Sequence, residues 1–165
     1  MLVFLDIDGV LATHQSVKKS CTCGRYKFHT PCVESFNLFF EKYEPTIIIS
    51  SAWRLHGKDK LQEILNINGV HCDIHSFTPV LSNELHLGEG MVRGDRGAEI
   101  QSWFPYFPEF DGEKFIIIDD EVYDINKYFG NKHILHIVNG WDNEGFTEEH
   151  IKILERKLEE QDEKE

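Results

Sequence analysis

The chain has 165 residues, a net charge of −12 and twelve phenylalanines, a length that suits one domain able to bury a real core. The acid excess argues against nonspecific binding to nucleic acid or to an anionic membrane, although a local basic patch could still recognise one nucleic-acid end. No apolar run approaches the ~20 residues that span a bilayer; the N-terminus has no basic n-region and its apolar run is broken by Asp6, so no signal peptide is expected and the reading is a cytoplasmic protein.

Leu2 to Leu5 reads as a strand buried on both faces, followed at once by Asp6, Asp8 and Gly9. The strand period of two would project Asp6 and Asp8 to the same side as the strand runs out, with Gly9 turning the chain behind them. Residues 12 to 29 are polar and aperiodic, and Ser20 to Phe28 could form a small hairpin turning near Gly24. Thr30 is placed as an N-cap with Pro31 at the first helical position; Val33, Phe36, Phe40 and Tyr43 keep helical spacing up to Pro45. A second strand covers Thr46 to Ser50, and a helix from about Lys58 turns Leu61, Ile64 and Leu65 inward and stops at Gly69.

Val70 to Phe77 is expected as a third strand, although His71, Asp73 and His75 alternate with its apolar residues, and a loop runs from Thr78 to Asp95. Ile100, Trp103 and Phe104 form the buried stripe of the next helix. The Phe115 strand follows, then a short helix near Tyr123 to Phe129, a final strand from His133 to Val138, and a last helix capped by Thr147 with Ile151, Leu154 and Leu158 inward. Alternating strands and helices imply a parallel sheet of about five strands with right-handed crossovers. The domain is expected over 1–158, with an acidic tail over 159–165. Ligands of such sheets bind outside the carboxyl ends of the strands.

The chemistry-bearing residues sit at those ends. Asp6 and Asp8 close the first strand, Ser50 and Ser51 the second, and Asp119 and Asp120 the Phe115 strand; Arg93 and Arg96 lie between the last two groups. Buried carboxylates are costly without a compensating cation or proton. Two like charges ~4 Å apart repel by about 4 kcal/mol at an effective dielectric near 20. Such a cluster suits Mg²⁺, a hard ion that takes oxygen ligands and shares them with a phosphate. Cys21, Cys23, His29 and Cys32 could be read as a zinc site, but the Cys-x-Cys spacing is tighter than structural zinc sites use. Without an export signal the cysteines read as thiols.

Acid-x-acid, serine, basic residue and acid pair, in that order on consecutive α/β units, resemble the four motifs of the haloacid dehalogenase-like phosphatases. Ser50-Ser51-Ala52-Trp53-Arg54, Thr78-Pro79, Arg96-Gly97-Ala98-Glu99-Ile100 with Trp103, and Gly145-Phe146-Thr147 resemble the branch named after Swiss Army knife RNA-repair proteins. The resemblance spans about residues 2 to 155 and implies a three-layer Rossmann-like domain with helices on both faces and no large cap. It implies Asp6 as nucleophile, Asp8 as general acid and base, Ser50 as the donor to a phosphate oxygen with Ser51 as the runner-up, and Arg96 as the basic residue with Arg93 as the other candidate. The family most often has lysine at that last point. Arg54 would bind a second substrate phosphate or serve as a structural partner for an acid.

For the metal, the resemblance implies Mg²⁺ held by Asp119, by Asp120 directly or through its outer shell, and by the Asp6 and Asp8 end of the first strand. A site without a cap is open and suits large phosphorylated substrates, such as a nucleic-acid end or a nucleotide. The alternatives are a phosphate-binding or regulatory module without turnover, and a signalling receiver domain. A receiver has its acid pair after the first strand, whereas here the pair follows a late one.

Overall fold

The computed structural model describes residues 1–16, 27–81 and 94–163. Five strands form one parallel sheet: β1 (Leu2–Leu5), β2 (Thr46–Ile49), β3 (Ile74–Phe77), β4 (Phe115–Asp119) and β5 (Ile134–His136), in the order β3-β2-β1-β4-β5. Among the described residues they are accompanied by the α-helices α1 (Thr30–Tyr43), α2 (Lys58–Ile67), α3 (Arg96–Gln101) and α4 (Glu148–Asp162). The central strands are buried on both faces, which is why they read as unbroken apolar runs.

Their side chains divide by parity. Val3, Leu5, Ile47, Ile49, Ile116 and Ile118 pack with residues of α1, α2 and α4. Leu2, Phe4, Ile48 and Ile117 pack on the other face with Ile100 of α3 and with Trp103 and Ile125. Three layers result, with helices on both faces, as the alternation of elements predicts.

Some boundaries move. Helix α1 begins at Thr30 with His29 as its N-cap residue, one position earlier than expected. Strand β3 begins only at Ile74, because the Gln62 side chain occupies the backbone before it: its Nε2 donates to the Cys72 carbonyl at 2.9 Å and its Oε1 accepts from the Ile74 N–H at 2.8 Å. Helix α3 stops at Gln101, and Trp103 anchors the two 3-10 turns Phe104–Tyr106 and Pro108–Phe110 instead. Pro105 and Pro108 account for that, since proline disfavours helical backbone at the residue before it. The expected helix near Tyr123 is the 3-10 turn Ile125–Lys127. Helix α4 runs on through the first acidic residues of the tail to Asp162.

Among the described residues no further sheet or helical unit is inserted. No described helix is long and apolar enough to cross a membrane. Most of the expected hairpin near Gly24 and most of the loop from Thr78 to Asp95 lie outside the described residues.

Candidate active site

The register of the sheet assembles the site. One position beyond the Leu5↔Ile49 and Leu5↔Ile118 pairs come Ser50, Asp6 and Asp119, on adjacent strands. The backbone bonds Asp6 N–H to Ile118 O at 3.0 Å and Ser50 N–H to Leu5 O at 3.1 Å carry the alignment through. Parity puts all three on the side of Phe4, Ile48 and Ile117, the face that α3 covers. Asp95 caps α3 by accepting from the Ala98 N–H at 3.1 Å. Arg96, at the start of that helix, then reaches both acids: its Nη1 lies 2.8 Å from Asp6 Oδ2 and 2.5 Å from Asp119 Oδ2. Asp119 is fully buried, and its Oδ1 accepts from the Glu121 N–H at 2.8 Å.

Asp8 departs from the expected geometry. The strand ends at Leu5, and the Ile7 carbonyl accepts from the N–H groups of Leu11 and Ala12, each at 2.9 Å, so Asp8 sits in a tight turn. The period of two therefore does not set its direction. Its Oδ2 accepts from the indole Nε1 of Trp53 at 2.9 Å. Gly9 takes φ +72° in this turn, and a Cβ there would lie 2.0 Å from Asp120 Oδ2, so glycine lets the turn sit against the second acid of the pair. The loop after β5 closes over it from the other side: a Cβ on Gly140 would lie 1.9 Å from the Gly9 carbonyl oxygen.

Asp6, Asp119 and Asp120 each bring one carboxylate oxygen within 4.8 Å of the others. Asp8, the fourth acid considered for the metal, stands outside this group. Burial, then the charge of Asp6, raises Asp119 well above the usual carboxylate range and Asp120 to about 6. Burial also raises Asp8, an effect that the Trp53 hydrogen bond reduces and the Asp6 charge reinforces. Burial works against the charge of Arg96, yet Asp6 and then Asp119 hold it above the usual guanidinium range. The arrangement thus favours an added positive charge. Asp6 Oδ1 is buried without a hydrogen-bond partner.

The two serines separate. Ser51 is the N-cap residue of the 3-10 turn Ala52–His56, its Oγ accepting from the Trp53 N–H at 3.4 Å. Ser50 Oγ is buried with no partner. Arg54 turns away from solvent: its guanidinium donates to the Ser50 and Ser51 carbonyls at 2.6 and 2.9 Å and to Glu99 Oε2 at 2.5 Å. Glu99 is itself buried, and its Oε1 accepts from the Leu81 N–H at 3.2 Å. This geometry is that of a structural partner for an acid. Nothing in the sequence spacing links Arg54 to Glu99 or Trp53 to Asp8, since both pairs span 45 positions. Arg93, like Cys21 and Cys23 of the zinc reading, lies outside the described residues. Cys32 is buried, donates to the Glu144 carbonyl at 2.7 Å and lies 3.4 Å from His29 Nδ1.

The family described as the HAD (haloacid dehalogenase-like) domain in Swiss Army Knife RNA repair proteins matches residues 2–151. The chain belongs to this family. No curated protein and no solved structure matches it. Membership places this HAD domain in a superfamily of phosphatases and hydrolases that also holds non-catalytic members. The superfamily generally uses Mg²⁺, and the donor set fits that ion: three clustered carboxylates supply hard oxygens.

Proposed function

We propose that this HAD domain is a phosphomonoester hydrolase working through an aspartyl-phosphate on Asp6. The observation that carries this reading is the state of the Asp6 carboxylate. Arg96 holds one oxygen, the other is buried without a partner, and Ser50 Oγ, also unpartnered, ends the neighbouring strand. Arg96 pairs with one oxygen of Asp6 and orients the carboxylate, which leaves the other oxygen to attack phosphorus. As that bond forms, the bond from phosphorus to the ester oxygen breaks. Asp8, protonated, gives its proton to the leaving oxygen. Water then attacks the phosphorus of the aspartyl-phosphate while Asp8 takes a proton from it, which restores both carboxyl groups and releases phosphate. Ser50 would donate to a phosphate oxygen, Arg96 beside it would balance the growing equatorial charge, and Ser51 stays in its cap. Asp6, Asp119 and Asp120 would hold Mg²⁺, which when bound neutralises charge on the transferring phosphoryl group.

Without a large cap, the surface available to orient a small phosphate ester is limited. The substrate class we infer is therefore the terminal phosphate of a nucleic acid or nucleotide, in keeping with the family description. The test is phosphate release from p-nitrophenyl phosphate and from 3′- and 5′-phosphorylated oligonucleotides, with and without Mg²⁺. Asp6→Asn keeps the shape of the carboxylate but not its attacking charge. It should lower turnover by about a thousandfold or more with the fold intact. Substantial activity in Asp6→Asn, with a normal Mg²⁺ requirement, would overturn the mechanism.

A further inference from the structure

The tie between Asp8 and Trp53 connects two loops that the mechanism above uses separately. Trp53 lies in the 3-10 turn Ala52–His56 that leaves the β2 end, and the turn is held at both sides of the indole. Ser51 caps it, and Arg54 fastens it to the Ser50 and Ser51 carbonyls and to the buried Glu99. The ring is set edge-on against Phe28, with centroids 5.5 Å apart, and against His56 at 5.7 Å. Its backbone and its ring are thus both located before any substrate arrives.

From that position Nε1 reaches Asp8 Oδ2 at 2.9 Å. An indole N–H donates and never accepts. Donating to Oδ2, it restrains rotation of the Asp8 carboxyl. A carboxyl in an open turn with no such partner would sample both ends, and a general acid must present its proton within hydrogen-bond reach of the leaving oxygen.

We propose that Trp53 is a positioning residue for Asp8, its Nε1–H fixing the rotation of the carboxyl through Oδ2. The role rests on the hydrolase reading, and it couples the serine loop to proton delivery: the segment that presents Ser50 also aims the acid. It has a consequence that mere packing lacks. Loss of the indole N–H should matter in proportion to how badly the leaving group needs a proton.

The experiment compares kcat/KM for an alkyl phosphate and for p-nitrophenyl phosphate, because this ratio reports only the steps through formation of the aspartyl-phosphate. Two variants are used, Trp53→Phe and replacement of Trp53 by benzothienylalanine, an isostere with sulfur in place of N–H that keeps the ring packing. The expected result is a loss of about tenfold or more on the alkyl ester and a several-fold smaller loss on p-nitrophenyl phosphate, carried by kcat rather than KM. The indole N–H resonance of Trp53, read by NMR without any turnover, should move in Asp8→Ala. Equal losses on the two esters, or no loss in the isostere, overturn the positioning role while an active wild type leaves the hydrolase reading standing. A wild type that turns over neither ester overturns the hydrolase reading and this role with it.

Discussion

Ser50 and Ser51 carry the same hydroxyl one position apart and do different things. Ser50 Oγ is buried without a partner, so its removal forfeits no internal hydrogen bond; Ser51 Oγ accepts from the Trp53 N–H, the second of its turn. Ser50→Ala should therefore leave the melting temperature unchanged or raise it, while lowering kcat/KM by about tenfold through loss of a phosphate donor. Ser51→Ala should do the reverse, costing about 0.5 kcal/mol of stability as a lost cap with a smaller effect on turnover. Thermal melts and kinetics on the same two preparations check both halves, and a destabilised Ser50→Ala with full activity would reverse the assignment. The sequence leaves this choice open for a physical reason. Both hydroxyls follow the same apolar run, and the short turn that selects Ser51 has no hydrophobic period to announce it. The acids were legible because buried carboxylates at strand ends are rare without a purpose. The direction of Asp8 was not, because the turn after Leu5 replaces the strand period with backbone bonds to Ile7.

At the level of elements, the long periodic segments were legible and the junctions were not. β1, β2 and β4 declare themselves by apolar runs buried on both faces, and α1 and α2 by their spacing. β3 is cut short by a single side chain, Gln62, whose reach onto the backbone no periodicity records. The start of α4 shows a further device of this kind. There the His150 Nδ1 accepts from the Thr147 N–H at 3.0 Å, which closes a capping box with a histidine in the place of the usual Glu or Gln. An amide N–H only donates, so Nδ1 must be unprotonated, and burial lowers the His150 pKa below its ordinary value near 6.5. The unfolded chain therefore binds this proton more readily than the folded one. The stabilisation from His150 is fully present above the unfolded pKa and is lost as pH falls through the lowered folded value. His150→Gln keeps an acceptor and removes the titration. The variant should lose part of the wild type's drop in melting temperature between about pH 7 and pH 5. Identical pH profiles for the two proteins would show that the box does not respond to pH.

For the whole molecule, a parallel sheet with strand order β3-β2-β1-β4-β5 gathers residues from positions 6 to 120 at one edge, and the order of the motifs along the chain was enough to anticipate that edge. The charge of the molecule then sets how substrates approach it. With 29 acidic residues against 17 basic ones, the long-range field repels a polyanion, even though Arg96 puts a positive charge beside Asp6 and Asp119. Salt shortens the reach of that field, from about 30 Å at 0.01 M to about 8 Å at 0.15 M ionic strength, and leaves close contacts largely unscreened. For a terminally phosphorylated oligonucleotide, kcat/KM at fixed Mg²⁺ should therefore rise severalfold as KCl is added over this range. It should rise more steeply for longer strands, while p-nitrophenyl phosphate changes little. Most nucleic-acid-binding proteins behave the opposite way, losing affinity with salt as phosphate contacts release counterions. Steady-state kinetics on a short and a long oligonucleotide at several ionic strengths decide between them. A kcat/KM that falls with salt would mean that a local basic patch captures the strand and outweighs the net charge of −12.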